Sequence, residues 1–311
     1  MRKALIVGME HYDNCKPLVG CIADANNVQE LLSKNEDGSD NFICEKADDL
    51  TTRELTYKIR ELFSQDLEIG LFYFSGHGST MFGDEYICTK DSDEIIPGVK
   101  TSDILSTVNS SNCRNKIIIL DSCFSGGMGH TSLIKNADLI GEGVTIITSS
   151  LSNQASGILG GRSFFTTLLC KALDGGAANL FGQITPGSIY AFIDKALTDA
   201  DQRPVFKTNI KEFLTVRKVI QRISNDQLKK LPKLFRSMND SFKLDPSYEY
   251  TDPSANQEHV DTFQLLQLFN QHGLVIPDED QFMYYAAINS HACKLTPLGQ
   301  YYWIVLSGQY Y

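Results

Sequence analysis

Apolar residues run without interruption from Leu71 to Phe74 and from Ile117 to Leu120. Each run stops at small or polar residues: Ser75-Gly76-His77-Gly78 after the first, Asp121-Ser122-Cys123-Phe124-Ser125-Gly126 after the second. Continuous β-rich runs of this length mark strands buried on both faces, as in a parallel sheet. Similar runs at Lys3 to Gly8, Phe42 to Ala47 and Gly143 to Ser149 alternate with stretches of helical periodicity, such as Ala25, Val28, Leu31 and Leu32. The rhythm from residue 1 to about 222 is that of βαβ units. It predicts an α/β domain: a mostly parallel sheet sandwiched by helices. Thr51 with Glu54 forms a capping box, and Thr185-Pro186 places a cap before a first-turn proline. Helices are expected over 24–34, 51–63, 102–108, 163–173 and 185–197, a short strand near 86–88, and a closing strand at Lys211 to Val216.

Beyond that point the pattern becomes mostly helical. Ser224 with Gln227 caps a helix expected to reach Met238, and Glu258 to His272 carries Val260, Phe263, Leu266 and Phe269 at helical spacing before Gly273. Thr296-Pro297 opens a final helix. The order of helix, short strands and helix resembles a winged-helix unit, so residues 223–311 are expected to form a smaller regulatory or interaction domain. The competing expectation is a helical extension packed on the first domain.

Charge narrows the partners. Residues 224–311 hold six Lys or Arg against ten Asp or Glu, and the whole chain carries −10. Phosphate binding needs clustered basic side chains, so nucleic acid is a disfavoured partner and a basic partner or substrate fits better. The chain enters Ala4-Leu5-Ile6-Val7 directly after Met1-Arg2-Lys3, with no leader-like apolar region and no span for a bilayer; a cytoplasmic location is expected. Eight cysteines are scattered without CxxC spacing, which suits reduced thiols rather than a disulfide framework or a zinc site.

Among those residues, His77 and Cys123 stand out by position. If their strands are parallel neighbours, about 4.8 Å apart, both leave the same edge of the sheet, where open α/β sheets place their crevices. A thiolate there attacks an amide carbonyl, and an imidazole protonates the leaving amine. A lone buried cysteine more often has no such role. Two reactive residues at two strand ends favour the catalytic reading.

The motifs 75–78 and 121–126 resemble those of the caspase-like cysteine proteases, most closely the metacaspases and their short bacterial relatives. Leu18-Val19-Gly20-Cys21-Ile22-Ala23-Asp24-Ala25 and Ser149-Ser150-Leu151-Ser152-Asn153-Gln154-Ala155-Ser156 resemble further metacaspase segments, in the family's order. The resemblance implies a caspase-like catalytic domain over 1–222, with Cys123 as nucleophile and His77 as general acid/base. It also implies an oxyanion hole from the backbone N–H groups of Gly78 and Cys123, and a substrate pocket with Asp24, Asp121 and Ser149. Two acids in one pocket call for a substrate Arg or Lys. Phe124 stands where true caspases have Arg, which disfavours cleavage after Asp. For Asp24 the alternative is an N-cap of the following helix. Resemblance further implies self-cleavage, with Lys135 and then Arg162 as candidates; the other expectation, outside the resemblance, is regulation through the C-terminal domain by an activating protein, and bacterial stress or antiviral defence is the expected setting by analogy. One alternative is a catalytically silent scaffold, which retention of His77 and Cys123 weighs against; the other is a regulatory nucleic-acid-binding protein acting through the winged-helix-like region, which the acidic balance disfavours. No cofactor is expected to be required. Many metacaspases respond to calcium, but Asp84, Glu85, Asp91, Asp93 and Glu94 lack EF-hand spacing and read better as a solvated acidic loop.

Overall fold

The computed structural model describes residues 1–81, 83–122, 140–149, 162–197 and 203–308. They fall into two compact units, Met1–Ile220 and Gln221–Tyr311. The first unit runs β1 (Arg2–Gly8), α1 (Cys21–Ser33), β2 (Ile43–Asp48), α2 (Thr52–Phe63), β3 (Ile69–Ser75), β4 (Gly78–Met81), β5 (Asp84–Ile87), β6 (Val99–Lys100), α3 (Thr101–Asn109) and β7 (Asn115–Asp121). It continues with β8 (Val144–Thr148), α4 (Phe164–Lys171), a π-helical turn over Ala172–Gly176, β9 (Gln183–Ile184), α5 (Pro186–Ala196), β10 (Val205–Thr208) and β11 (Arg217–Lys218).

Six strands form the main sheet in the order β10-β8-β7-β3-β1-β2, all parallel to their neighbours except β10, which runs antiparallel to β8. Every residue of β3 and β7 is buried, as continuous apolar runs require. Successive side chains alternate between two cores. Ile6, Tyr73, Ile117 and Ile119 pack with Val28, Phe165, Leu169 and Ile189 of α1, α4 and α5 on one face. Leu5, Phe72, Ile118 and Leu120 pack with Leu55, Ile59, Ile104 and Val108 of α2 and α3 on the other. Each such side chain contributes roughly 1.5–3 kcal/mol by leaving water, so the register of the central strands is strongly specified.

Both capping expectations hold: Thr51 and Glu54 cap α2 reciprocally, and Thr185 caps α5 with Pro186 in its first turn. The strand expected at Lys211 to Val216 does not form. The antiparallel edge is instead β10, and residues 211–216 are irregular, with Leu214 and Val216 buried as individual anchors before β11 pairs with β9. Apolar residues there fill the core without joining a ladder.

The second unit holds α6 (Asn225–Leu228), α7 (Leu231–Leu234), β12 (Ser241–Lys243), α8 (Gln257–Gln271), β13 (Val275–Pro277), α9 (Met283–Ile288), β14 (Ala292–Leu295) and α10 (Pro297–Ser307). Ser224 and Gln227 form the expected capping box, but the helix stops at Leu228 and a separate one begins at Leu231. Pro232 sits in the first turn of that second helix, the one place where its missing N–H costs little. The three strands pair antiparallel in the order β12-β14-β13. A winged helix joins its last two strands by a hairpin wing; here α9 intervenes between β13 and β14. The unit's described residues form one small sheet with helices, without a clear winged helix.

Candidate active site

Three strand ends lie side by side. Gly8 pairs with Ser75 and Ser75 with Asp121, so β1, β3 and β7 finish level at one edge of the sheet. Gly76 extends the β3–β7 ladder by one more bond, its N–H donating to Asp121 O at 3.2 Å. A Cβ on Gly76 would stand 2.8 Å from Tyr12 Oη and 2.9 Å from Met9 Cβ. Glycine is thus needed here for packing against the segment after β1.

His77 follows, held at backbone and ring. Its N–H donates to Tyr12 Oη at 2.9 Å, the two rings lie 4.8 Å apart at 48°, and Nε2 lies 2.8 Å from the carbonyl oxygen of Lys16. A carbonyl carries no proton, so Nε2 must be the donor, which leaves Nδ1 as the only basic nitrogen of the neutral ring. The segment supplying Tyr12 and Lys16 is itself tied down. Glu10 Oε1 accepts from Gly20 N at 2.8 Å and Ile22 N at 3.0 Å, and Asp49 Oδ1 accepts from Glu10 N and His11 N at 2.8 and 2.9 Å. Cys123 and Lys135 lie outside the described residues. What the structure shows is the strand end that carries Cys123: Asp121 closes β7 and Ser122 is buried. Gly78 opens β4, and Ser149, buried, donates its N–H to Leu120 O at 2.8 Å.

Asp24 and Asp121 come together on the α1/α4 face of the same edge. They are 1% and 8% exposed. Asp24 does not cap α1: Gly20 holds the cap position with φ 101°, Glu10 supplies the capping carboxylate, and the Asp24 side chain is free for another task. Its Oδ2 accepts from Ser163 N at 3.0 Å. Asp121 Oδ2 accepts from Thr166 Oγ1 at 2.6 Å. Burial pushes Asp24 up to about 7, the Ser163 bond opposes this, the charge of Asp121 adds to it, and the exposed Arg162 draws it back. Burial also raises Asp121, against hydrogen bonds from Ser163 and Thr166. Among the described residues neither carboxylate forms a salt bridge. Cys21, beside them, is pushed by burial up to about 12 and stays a neutral thiol.

The acidic loop is occupied with its own folding. Asp84 bonds Lys100 at 2.6 Å, Asp91 Oδ1 accepts from Thr52 N, Thr52 Oγ1 and Thr89 Oγ1, and Asp93 Oδ1 accepts from Ile95 N and Ile96 N. Glu85 is buried. Among the described residues no three His, Cys, Asp or Glu gather as a metal site, and no helix is long and apolar enough to cross a membrane. The seven described cysteines are free thiols.

Comparison with known proteins decides the family. The family model "Caspase domain" matches residues 1–243. The chain belongs to the caspase-domain family. Its members are cysteine peptidases, and proteins are therefore its substrates. The match runs through the first unit and into the second. The crystal structure of caspase-1 from Spodoptera frugiperda has the same fold, with a TM-score of 0.50 at 16% identity over 71% of this chain and 91% of that one. No curated protein matches in sequence.

Several features of this caspase domain have little or no signal in the sequence. Tyr12 sits in a polar loop, and the Lys16 carbonyl has no side-chain signal at all. Ser163 and Thr166 carry only a helix signal in the sequence, although a buried Thr between Phe165 and Leu169 is a polar residue in an apolar face.

Proposed function

We propose that this caspase domain is an endopeptidase of metacaspase type that cleaves proteins after Arg or Lys. The observation that supports this is the pair Asp24 and Asp121, two buried carboxylates converging beside the strand ends that carry His77 and Cys123. Burying an uncompensated carboxylate costs several kcal/mol, and a substrate guanidinium or ammonium offsets that cost with charge-assisted hydrogen bonds. A substrate Asp would add a third negative charge.

In the reaction, Cys123 thiolate adds to the carbonyl carbon after the basic residue. The N–H groups of Gly78 and Cys123 stabilise the oxyanion, with Ser149 at the substrate side. His77 gives a proton to the departing amine as the C–N bond breaks, leaving a thioester. Water then attacks the thioester, His77 accepting its proton, and free enzyme returns. None of these steps needs a metal. Self-cleavage at Lys135 or Arg162, and control of access by the C-terminal unit through an activating protein, complete the reading, with the cytoplasm as its setting and stress or antiviral defence as its context.

Fluorogenic peptides ending in Arg, Lys or Asp, with and without calcium, test it against Cys123→Ala. Expected is turnover of Arg and Lys peptides alone, abolished in the variant, with calcium dispensable. Turnover of the Asp peptide alone would sink the specificity, and activity surviving Cys123→Ala would sink the dyad.

A further inference from the structure

Behind the acidic pair lies a chain of hydroxyl groups that neither the dyad nor the pocket chemistry accounts for. Thr166 Oγ1 lies 2.6 Å from Asp121 Oδ2 and 2.6 Å from Tyr73 Oη. Thr166 and Tyr73 are fully buried. An ionised carboxylate only accepts, and a threonine hydroxyl has a single proton. With Asp121 ionised, Thr166 must donate to it, so Tyr73 must donate to Thr166. The order Tyr73, Thr166, Asp121 then runs in one direction across β3, α4 and β7. Burial raises the Tyr73 phenol well above its usual value, so it keeps the proton that this order needs.

We propose that Thr166, backed by Tyr73, is a positioning residue of the specificity pocket, holding Asp121 oriented and ionised for the basic side chain of the substrate. The proposal rests on the Arg/Lys reading above. The same turn of α4 holds the other acid: Ser163 N donates to Asp24 Oδ2 at 3.0 Å, and the Ser163 side chain caps α4 by accepting from Thr166 N. One helix start therefore fixes both carboxylates with respect to each other. A pocket lined only by two repelling acids would relax apart or take up a proton. Donors anchored in a packed helix oppose both. Hydrogen bonding along the chain strengthens each bond. The groups around the acids are Glu10 and Cys21 on the β1 side, Tyr73 on β3, Arg162 and Ser163 ahead of α4, and Thr166 and Cys170 on it.

The test measures kcat and KM of the full chain on an Arg peptide from pH 5.5 to 9, for Thr166→Val, Thr166→Ser and Tyr73→Phe. Removing a hydrogen bond to a buried carboxylate is expected to raise KM about tenfold in Thr166→Val, with kcat near wild type and the acid limb of kcat/KM moved to higher pH. Thr166→Ser restores both, and Tyr73→Phe shows the same shift in smaller measure. Alkylation of Cys123 by iodoacetamide at the wild-type rate shows the dyad intact. Should Thr166→Val fail to fold, Tyr73→Phe decides alone. An unchanged KM and acid limb in folded variants overturns the proposal, as does a fall of kcat with no movement of the limb. A wild type inactive on Arg and Lys peptides fails the specificity reading itself, a result visible before any variant is made.

Discussion

His77 is held in place by partners that carry no motif. The Lys16 carbonyl at 2.8 Å commits Nε2 to the proton, and Tyr12 Oη, accepting from His77 N at 2.9 Å, fixes the turn from which the ring departs. Tyr12→Phe keeps the ring contact and removes the acceptor, together with the longer bond that Tyr12 Oη donates to Met9 O at 3.3 Å. The lost bond is worth about 1 kcal/mol, so kcat on an Arg peptide is expected to fall roughly fivefold with KM nearly unchanged; steady-state kinetics at saturating peptide check it. A rise in KM at constant kcat would place Tyr12 at the substrate instead. The contrast with Asp24 and Asp121 explains what the sequence shows at this scale. Both acids lie in segments that resemble metacaspase segments, and it is the resemblance that implies their shared pocket. Tyr12, Thr166 and a backbone carbonyl act through distance alone, and distance is created by folding.

At the scale of elements, caps and buried runs set by local chemistry could be read, although the break before Pro232 was a local signal too. The capping boxes at Thr51, Thr185 and Ser224 and the continuous apolar runs of β3 and β7 each have a signal within a few residues. Elements that depended on long-range pairing could not. Residues 211–216 have the composition of a strand, but the place beside β8 is taken by the half-buried β10. Likewise, α9 between β13 and β14 replaces the wing that the sequence pattern suggested. The Thr51 cap offers a check that separates fold from catalysis. Thr51 Oγ1 accepts from Glu54 N while Glu54 Oε2 accepts from Thr51 N at 2.9 Å. Thr51→Ala is expected to lower stability by about 1 kcal/mol, seen as an earlier urea midpoint by far-UV circular dichroism. Peptidase kinetics in buffer should not change, since α2 packs on the face of the sheet opposite Asp24 and Asp121.

For the whole molecule, each unit has the means to fold around its own centre. Both large cores of the first unit draw only on residues up to Val219, while the second unit buries Leu228, Leu231, Phe235, Leu266, Phe269 and Trp303. Trp303 is the only tryptophan of the chain, and its Nε1 donates to Phe235 O at 2.7 Å. Intrinsic tryptophan fluorescence therefore reports on the C-terminal unit, whereas loss of peptidase activity reports on the catalytic one. Phe269 is fully buried. Truncating such a ring costs about 3–5 kcal/mol through lost transfer energy and the cavity left behind. Phe269→Ala should thus move the urea transition followed by Trp303 to lower denaturant. Units with separate cores behave as separate cooperative systems by default, so the transition followed by peptidase activity is expected to stay in place. If both transitions shift together, the two units unfold as one, and the C-terminal unit then acts on catalysis by stabilising the caspase domain.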